Sequence, residues 1–378
     1  MPHLRSMPES ELPLGDPLPW NLYDRWGDLL LREGAHIRDQ DQLRDILHRG
    51  PSVMAPDEIK DPFADDRSRL HIGTAFDVNH KCIRHLEHVS HNPTEISTFA
   101  VEIQAIAAAL QRAVERDEDA ALASLLVMED GHYSIRHQVE TAIVSAALLR
   151  HLEIEPKTSL DIVCGALTMN IAALEMHESL HRDNAPMSDG TRILMNLHPT
   201  QSANLLKDIG IRSKEWLTSV LHHHELLDGS GYPNGLIGSR IPMGAQILQI
   251  ADTYTARTSQ RSWKAREHSG TTLADIIRNA QGIVNPDLAK ILIRILGVFT
   301  PGTWVNLENG EVALVVRRGK TMRTPMVLSF MSRGLALGAP LARDTSVERY
   351  ACKGAAVAPK LEYPLKPSVL WGLVLPTP

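Results

Sequence analysis

From about residue 67 to residue 296 the apolar residues recur at helical spacing, and this long helical texture limits the fold more than any other feature. Phe99, Ile103, Ile106 and Leu110 share one helix face, as do Val139, Ile143, Ala146 and Leu149. The same spacing predicts helices over 158–173, 199–208, 214–224, 242–259, 271–279 and 286–296. Pro199, Pro242 and Pro286 each suit the first turn of such a helix, where a backbone N–H is not needed. A run of helices this long buries its apolar stripes only by forming a bundle.

The flanks read differently. Trp20-Asn21-Leu22-Tyr23 has strand character, Arg25-Trp26-Gly27 that of a turn, and residues 28–32 that of a return strand. A helix is predicted over 39–48 through Leu43, Ile46 and Leu47, stopped by Gly50-Pro51. Residues 55–66 are rich in Pro and Asp without periodicity and read as a linker. After Gly297, residues 303–306 and 311–317 read as strands around the turn Glu308-Asn309-Gly310, with a further strand at 326–330. The expected organisation is a small N-terminal α/β unit (1–54), a linker (55–66), a helical domain (67–298) and a C-terminal β-rich appendage (299–378), so the fold class is mainly α.

A length of 378 residues suits two or three domains. With 43% hydrophobic and 22% charged residues the chain is globular in composition, and disorder is not indicated. A net charge of −6 argues against nonspecific attachment to DNA or to an anionic membrane, though not against one small anion in a basic pocket. Cys82, Cys164 and Cys352 are far apart and unpaired in sequence, which favours a reduced, cytoplasmic setting over a disulfide framework. No secretory h-region and no run of about 18 apolar residues is visible, so no membrane span is expected.

Eighteen histidines are unusual in such a chain, and their placement carries more than their number. His222-His223-His224-Glu225 closes a predicted helix and leads into Asp228-Gly229-Ser230-Gly231-Tyr232-Pro233, a tight turn that lifts Tyr232. His137, His198 and Asp252 stand near the ends of other predicted helices. Imidazoles and a carboxylate gathered from several helices are how bundles build metal sites. Singly, each residue has a plainer reading: His223-His224 as helix-end residues, Asp252 as a polar position, Tyr232 as a packed aromatic. The joint order and spacing outweigh those readings.

That order resembles the HD-GYP family, a branch of the HD metal phosphohydrolases found in bacteria. The match runs through His137, positions 169–170, His198-Pro199, His223-His224-Glu225, the 228–233 string, Gly235-Leu236, Ile250-Ala251-Asp252 and Thr258-Ser259-x-Arg261. The resemblance implies an HD-type helical bundle in which two or more iron- or manganese-type ions hydrolyse cyclic di-GMP. By that resemblance one ion uses His137, position 169, position 170 and Asp252. The other uses position 170, His198, His223 and His224. Tyr232, Arg261 and Lys264 correspond to residues meeting the nucleotide, and Asp228, Gly229, Gly231, Tyr232 and Pro233 form a loop linked in the family to contact with GGDEF-type diguanylate cyclases. The resemblance is also compatible with a homodimer.

The sequence departs from the family at its centre. Met169-Asn170 stands where the family has His-Asp, and Ala173 replaces a phosphate-facing lysine. Thr255 and Trp263 are lesser departures. A thioether is a poor ligand for a hard or borderline cation, and a neutral amide is a weak bridge. Two dications about 4 Å apart repel by roughly 17 kcal/mol at an effective dielectric of 20, a repulsion that a bridging carboxylate offsets and an amide cannot. The first subsite keeps only His137 and Asp252, whereas the second keeps His198, His223 and His224. The expected cofactor is therefore at most one divalent transition metal (Fe, Mn or Zn), or none. Three functions stay open: a signalling module that binds cyclic di-GMP or a related nucleotide or docks a partner, a slow single-metal phosphodiesterase, and a scaffold.

Overall fold

The computed structural model describes residues 4–8, 12–18, 21–24, 29–32, 34–54, 74–182, 188–259, 273–275, 278, 282–361 and 365–372. The chain divides into two compact units, Met1–Ile72 and Gly73–Pro378. The expected linker over 55–66 and the turn at Arg25-Trp26-Gly27 lie outside the described residues.

In the first unit β1 (Leu4–Ser6), β2 (Leu22–Tyr23), β3 (Leu29–Leu31) and β4 (Ser52–Met54) form an antiparallel sheet in the order β1-β4-β2-β3. Helix α1 (Gln40–Arg49) starts where the Asp39 side chain accepts from the Asp41 and Gln42 amides. It stops at Gly50, whose left-handed backbone (φ 69°) closes on the Leu47 carbonyl. Leu43 and Ile46 of α1 join Leu18, Leu22 and Ile37 in a small core. This is the α/β unit expected from the sequence.

The second unit opens with α2 (Ala75–His91), set by a capping box between Thr74 and Asp77 that sequence inspection did not single out. There follow α3 (Phe99–Arg116), α4 (Glu118–Val127), α5 (Tyr133–Arg150) and α6 (Pro156–Thr168). After a 3₁₀ turn at Ile171–Ala173 come α7 (Leu174–Arg182), α8 (Asp189–Asp208), α9 (Lys214–His222) and α10 (Met243–Thr258). A further helix spans Pro286–Leu296, beginning at the predicted proline. Helix α5 is buried nearly all round and touches α2, α3, α4, α6, α7 and α10, so it forms the axis of the bundle. Where α6, α9 and α10 meet, glycine sets the spacing: a Cβ on Gly244 would lie 2.1 Å from the Ser219 hydroxyl.

Two sequence expectations are corrected here. Pro199 does not open a helix; α8 begins ten residues earlier at Asp189 and carries Pro199 inside it. A run long and apolar enough to cross a membrane by length and composition does exist, Pro156–Arg182 with mean hydropathy 1.3. Two thirds of its window (67%) is buried within the bundle, and the 3₁₀ turn at Ile171–Ala173 breaks it, as expected of a core segment.

The C-terminal sheet is antiparallel in the order β8-β7-β6-β5-β9, with β5 (Trp304–Leu307), β6 (Glu311–Arg317), β7 (Met326–Ser332), β8 (Leu335–Asp344) and β9 (Cys352–Ala355). Gly310 (φ 85°) turns the predicted hairpin between β5 and β6. The sheet is tied to the bundle by ion pairs: Arg318 with Glu118 at 2.6 Å and with Asp119, and Arg317 with Asp117. Strands β8 and β9 were not read from sequence. Cys82 and Cys164 are buried and free, and Cys352 is free and half-buried.

Candidate metal centre

The three histidines expected to survive come together. One ligand nitrogen from each of His198, His223 and His224 can be chosen so that all lie within 4.8 Å of one another. His198 and His223 are fully buried. They face each other through their Nε2 atoms at 3.2 Å.

The local fold explains why those nitrogens point inward. His198 sits in the middle of α8, not at a helix end as the sequence suggested, and is followed by Pro199. Proline has no N–H to give the carbonyl four residues back, which is that of Met195. The His198 ring takes that vacancy, its Nδ1 donating to the Met195 oxygen at 2.5 Å. His223 does the same at the end of α9, with Nδ1 2.7 Å from the Val220 carbonyl, one of the acceptors a helix terminus leaves open. With both Nδ1 atoms committed as donors, both Nε2 atoms carry lone pairs. Two lone pairs 3.2 Å apart repel unless a cation lies between them, and backbone-fixed tautomers of this kind are typical support for metal-binding imidazoles.

The electrostatics agree with neutral ligands. Burial, with the neighbouring imidazoles of His223 and His177, pushes His198 down to about 3. Burial likewise lowers His223 and, further, His224. These three residues therefore fit one divalent metal ion.

The first subsite has a different character. His137 on α5 and Asp252 in the middle of α10 are joined directly, Nε2 to Oδ1 at 2.7 Å. Burial works to raise the Asp252 carboxyl, but the His137 hydrogen bond and the charges of His137, His224 and His223 hold it well below the usual carboxylate range. Met169 is completely buried at the end of α6, its place fixed beside Thr168, whose hydroxyl accepts from the Trp216 indole at 2.7 Å. Asn170 is buried, and its Oδ1 has no hydrogen-bond partner among the described residues. A thioether, an amide and a histidine and aspartate hydrogen-bonded to each other do not fit a second dication.

The loop after His224 is built on Glu225, a residue the sequence reading placed only within a motif. Its buried carboxylate accepts from the Asn234 amide at 2.7 Å and the Leu236 amide at 2.9 Å. Asp228 folds the exposed tip by accepting from the Ser230 amide and hydroxyl. Gly231 passes so near the chain that a Cβ would lie 2.4 Å from the Leu226 nitrogen. Tyr232 then stacks on the His224 ring, centroids 4.7 Å apart, so the loop forms one wall of the centre. Burial, with the charge of Asp252, pushes the Tyr232 phenol upward. Arg261 and Lys264 lie outside the described residues, as does Trp263. His177 on α7 was not singled out in the sequence, yet its ring meets His198 edge-on at 5.5 Å.

A helical bundle that gathers histidines and one aspartate from its separate helices is the architecture of an HD domain, and the family model described as HD domain matches residues 106–288. A cyclic di-GMP phosphodiesterase of Pseudomonas aeruginosa is 27% identical over 227 residues, 59% of this chain and 54% of that protein. The cyclic di-GMP phosphodiesterase PdeB of Borreliella burgdorferi is 24% identical over 185 residues, 49% of this chain and 48% of that protein. A solved structure from Bdellovibrio bacteriovorus, described as an HDG"Y"P protein, shares the fold with a TM-score of 0.50 at 19% identity, covering 78% of this chain and 99% of that one. The chain thus spans about half the length of the curated relatives it matches. Residues 106–288 are thus an HD domain, and the similarities support the HD-GYP family for it.

Proposed function

We propose that this protein is a hydrolytically impaired HD-GYP signalling protein of the cyclic di-GMP class, which holds at most one ion and acts by binding a cyclic dinucleotide or docking a partner. The observation that carries the reading is the buried Met169-Asn170 pair at the end of α6, beside an intact His198, His223 and His224 set. Relatives named for cyclic di-GMP and, in Vibrio cholerae, for 3'3'-cGAMP support a cyclic dinucleotide as the ligand class. Arg261, Lys264 and Tyr232 are the residues proposed to meet it, Arg and Lys through the phosphates. The 228–233 loop, exposed at Asp228 and Ser230, is proposed as the docking surface for a GGDEF-type diguanylate cyclase. The division into an N-terminal unit, a helical domain over 67–298 and a β-rich appendage is part of the same proposal.

A bound ion would supply charge for a phosphoryl oxygen and acidity for a water. The chain's own part is to hold three neutral imidazoles, with Asn170 as a hydrogen-bond partner nearby. The second reading, a slow single-metal phosphodiesterase, is favoured by the completeness of the three-histidine set. Calorimetry with cyclic di-GMP and a turnover assay separate the two. The expected result is binding without turnover, with hydrolysis gained in the Met169→His/Asn170→Asp double variant. Turnover by the native protein that disappears in His223→Ala would overturn the non-catalytic reading.

A further inference from the structure

We propose that His177 is the fourth ligand of this centre, so that one ion is enclosed by His177, His198, His223 and His224. The inference rests on the three-histidine reading given above. The stretch that lost the bridging carboxylate also carries the extra imidazole, since His177 stands on α7, which continues directly from the 3₁₀ turn after Asn170. Its Nε2 is buried.

Measured from His198, the ring spacings match those around a four-coordinate ion; the 4.8 Å group of nitrogens holds only His198, His223 and His224, so a turn of the His177 side chain completes the set. Nitrogens about 2.0–2.1 Å from a tetrahedral zinc place their ring centres about 5.2 Å apart, counting about 1.1 Å from nitrogen to centroid. The centroid distances from His198 are 5.5 Å to His177, 5.2 Å to His223 and 5.1 Å to His224. The angles are also those of separate spokes, with His177 and His224 lying 85° and 83° from the His198 plane. Plain aromatic packing looks different on this same helix: His181 lies flat on Tyr133 at 3.8 Å and 8°. His223 and His224 are closer, at 4.1 Å, so the site is compressed on that side.

Such a set completes a site that the other three histidines already begin. Four neutral imidazoles leave the ion's charge to be balanced from outside the ligand set, and Asp252 is placed to do so, being a charged neighbour of His198, His223 and His224. Closure has a functional consequence. A four-coordinate ion with four protein ligands has no position for a nucleophilic water, which is the arrangement of structural sites. The centre would then brace α7, α8 and the loop at Tyr232 and not hydrolyse phosphate esters.

The test uses the full chain loaded with Co2+, whose visible absorption reports ligand number. Wild type should give the intense bands of a tetrahedral ion, unchanged by added azide. His177→Phe keeps a ring in place without a ligand nitrogen; it should bind Co2+ at least tenfold more weakly and let azide shift the bands. His177→Gln should behave likewise, and the unfolding midpoint of each metal-free variant checks that it is folded. Unchanged affinity and bands in both variants, with binding lost in His223→Ala, would overturn the role of His177 and leave the three-histidine site standing. Failure of the wild-type chain to bind Co2+ would overturn both.

Discussion

At the scale of the residue, the centre depends on which backbone carbonyls are left free. Pro199 vacates the Met195 carbonyl, and the end of α9 vacates that of Val220; each is taken by a histidine Nδ1. This leads to a prediction with opposite signs. Proline inside a helix is about 3 kcal/mol less favourable than alanine, so Pro199→Ala should stabilise the fold by up to about that amount. The restored N–H would compete for the Met195 carbonyl, and loss of such ligand support lowers metal affinity by about 10- to 100-fold. Denaturant unfolding of the metal-free chain and competition with a metal chelator measure the two effects; stability and affinity moving together would contradict the account. Much of this was legible in sequence. His198, His223, His224, His137 and Asp252 could be picked out because their order is distinctive; the structure groups the first three and pairs His137 with Asp252. His177 was not, because its i, i+4 neighbour in sequence, His181, lies flat on Tyr133 instead of joining it; only the ring contact of His177 with His198 reveals it. The His198 tautomer was also invisible, since it follows from a proline that reads in sequence as a helix start.

At the scale of the element, the 225–237 loop is held from within and not by its exposed tip. Glu225 gathers two amides, and Gly231 threads between the backbone of His224 and Leu226. Gly231→Ala forces backbone apart where no side chain can yield, and overpacking of this kind is worth about 1–3 kcal/mol. Urea unfolding should show that loss. Ser230→Ala, at the exposed tip, should change stability by no more than about 0.5 kcal/mol. Equal effects of the two would mean that the loop is not braced as described. Helices with a clear apolar face or a proline start, such as Pro286–Leu296 and α10, were readable from the sequence almost to the residue. Strand β8 was not: Leu335, Ala336 and Leu341 are exposed on an edge strand, so there is no burial pattern to produce alternation. Helix α6 was predicted too long because the apolar run continues through Met169 and Ile171, while the chain leaves helical geometry after Thr168.

At the scale of the whole molecule, a buried cluster of neutral histidines makes the second unit sensitive to acid. The folded-state pKa of His198 is pushed to about 3 from an ordinary value of 6.5, and His223 and His224 are lowered as well. Between those limits the unfolded chain binds more protons than the folded one. Stability is therefore full above about pH 6.5 and falls as pH drops toward 3, by up to about 1.4 kcal/mol per pH unit for each histidine involved. The metal-free protein should show this slope in unfolding midpoints measured from pH 7 to pH 5, and His198→Phe should flatten it. A flat profile in the native protein would mean the cluster is not neutral and buried.

On the function proposed above, Met169-Asn170 removes one of two metal subsites and leaves the other. The decisive measurement is metal per chain on the purified 378-residue chain after saturation with Zn2+ or Fe2+ and removal of excess. One ion per chain, lost in His223→Ala and retained in His137→Ala, is the predicted result. Two ions per chain, or one that is lost with His137 and kept without His223, would contradict it.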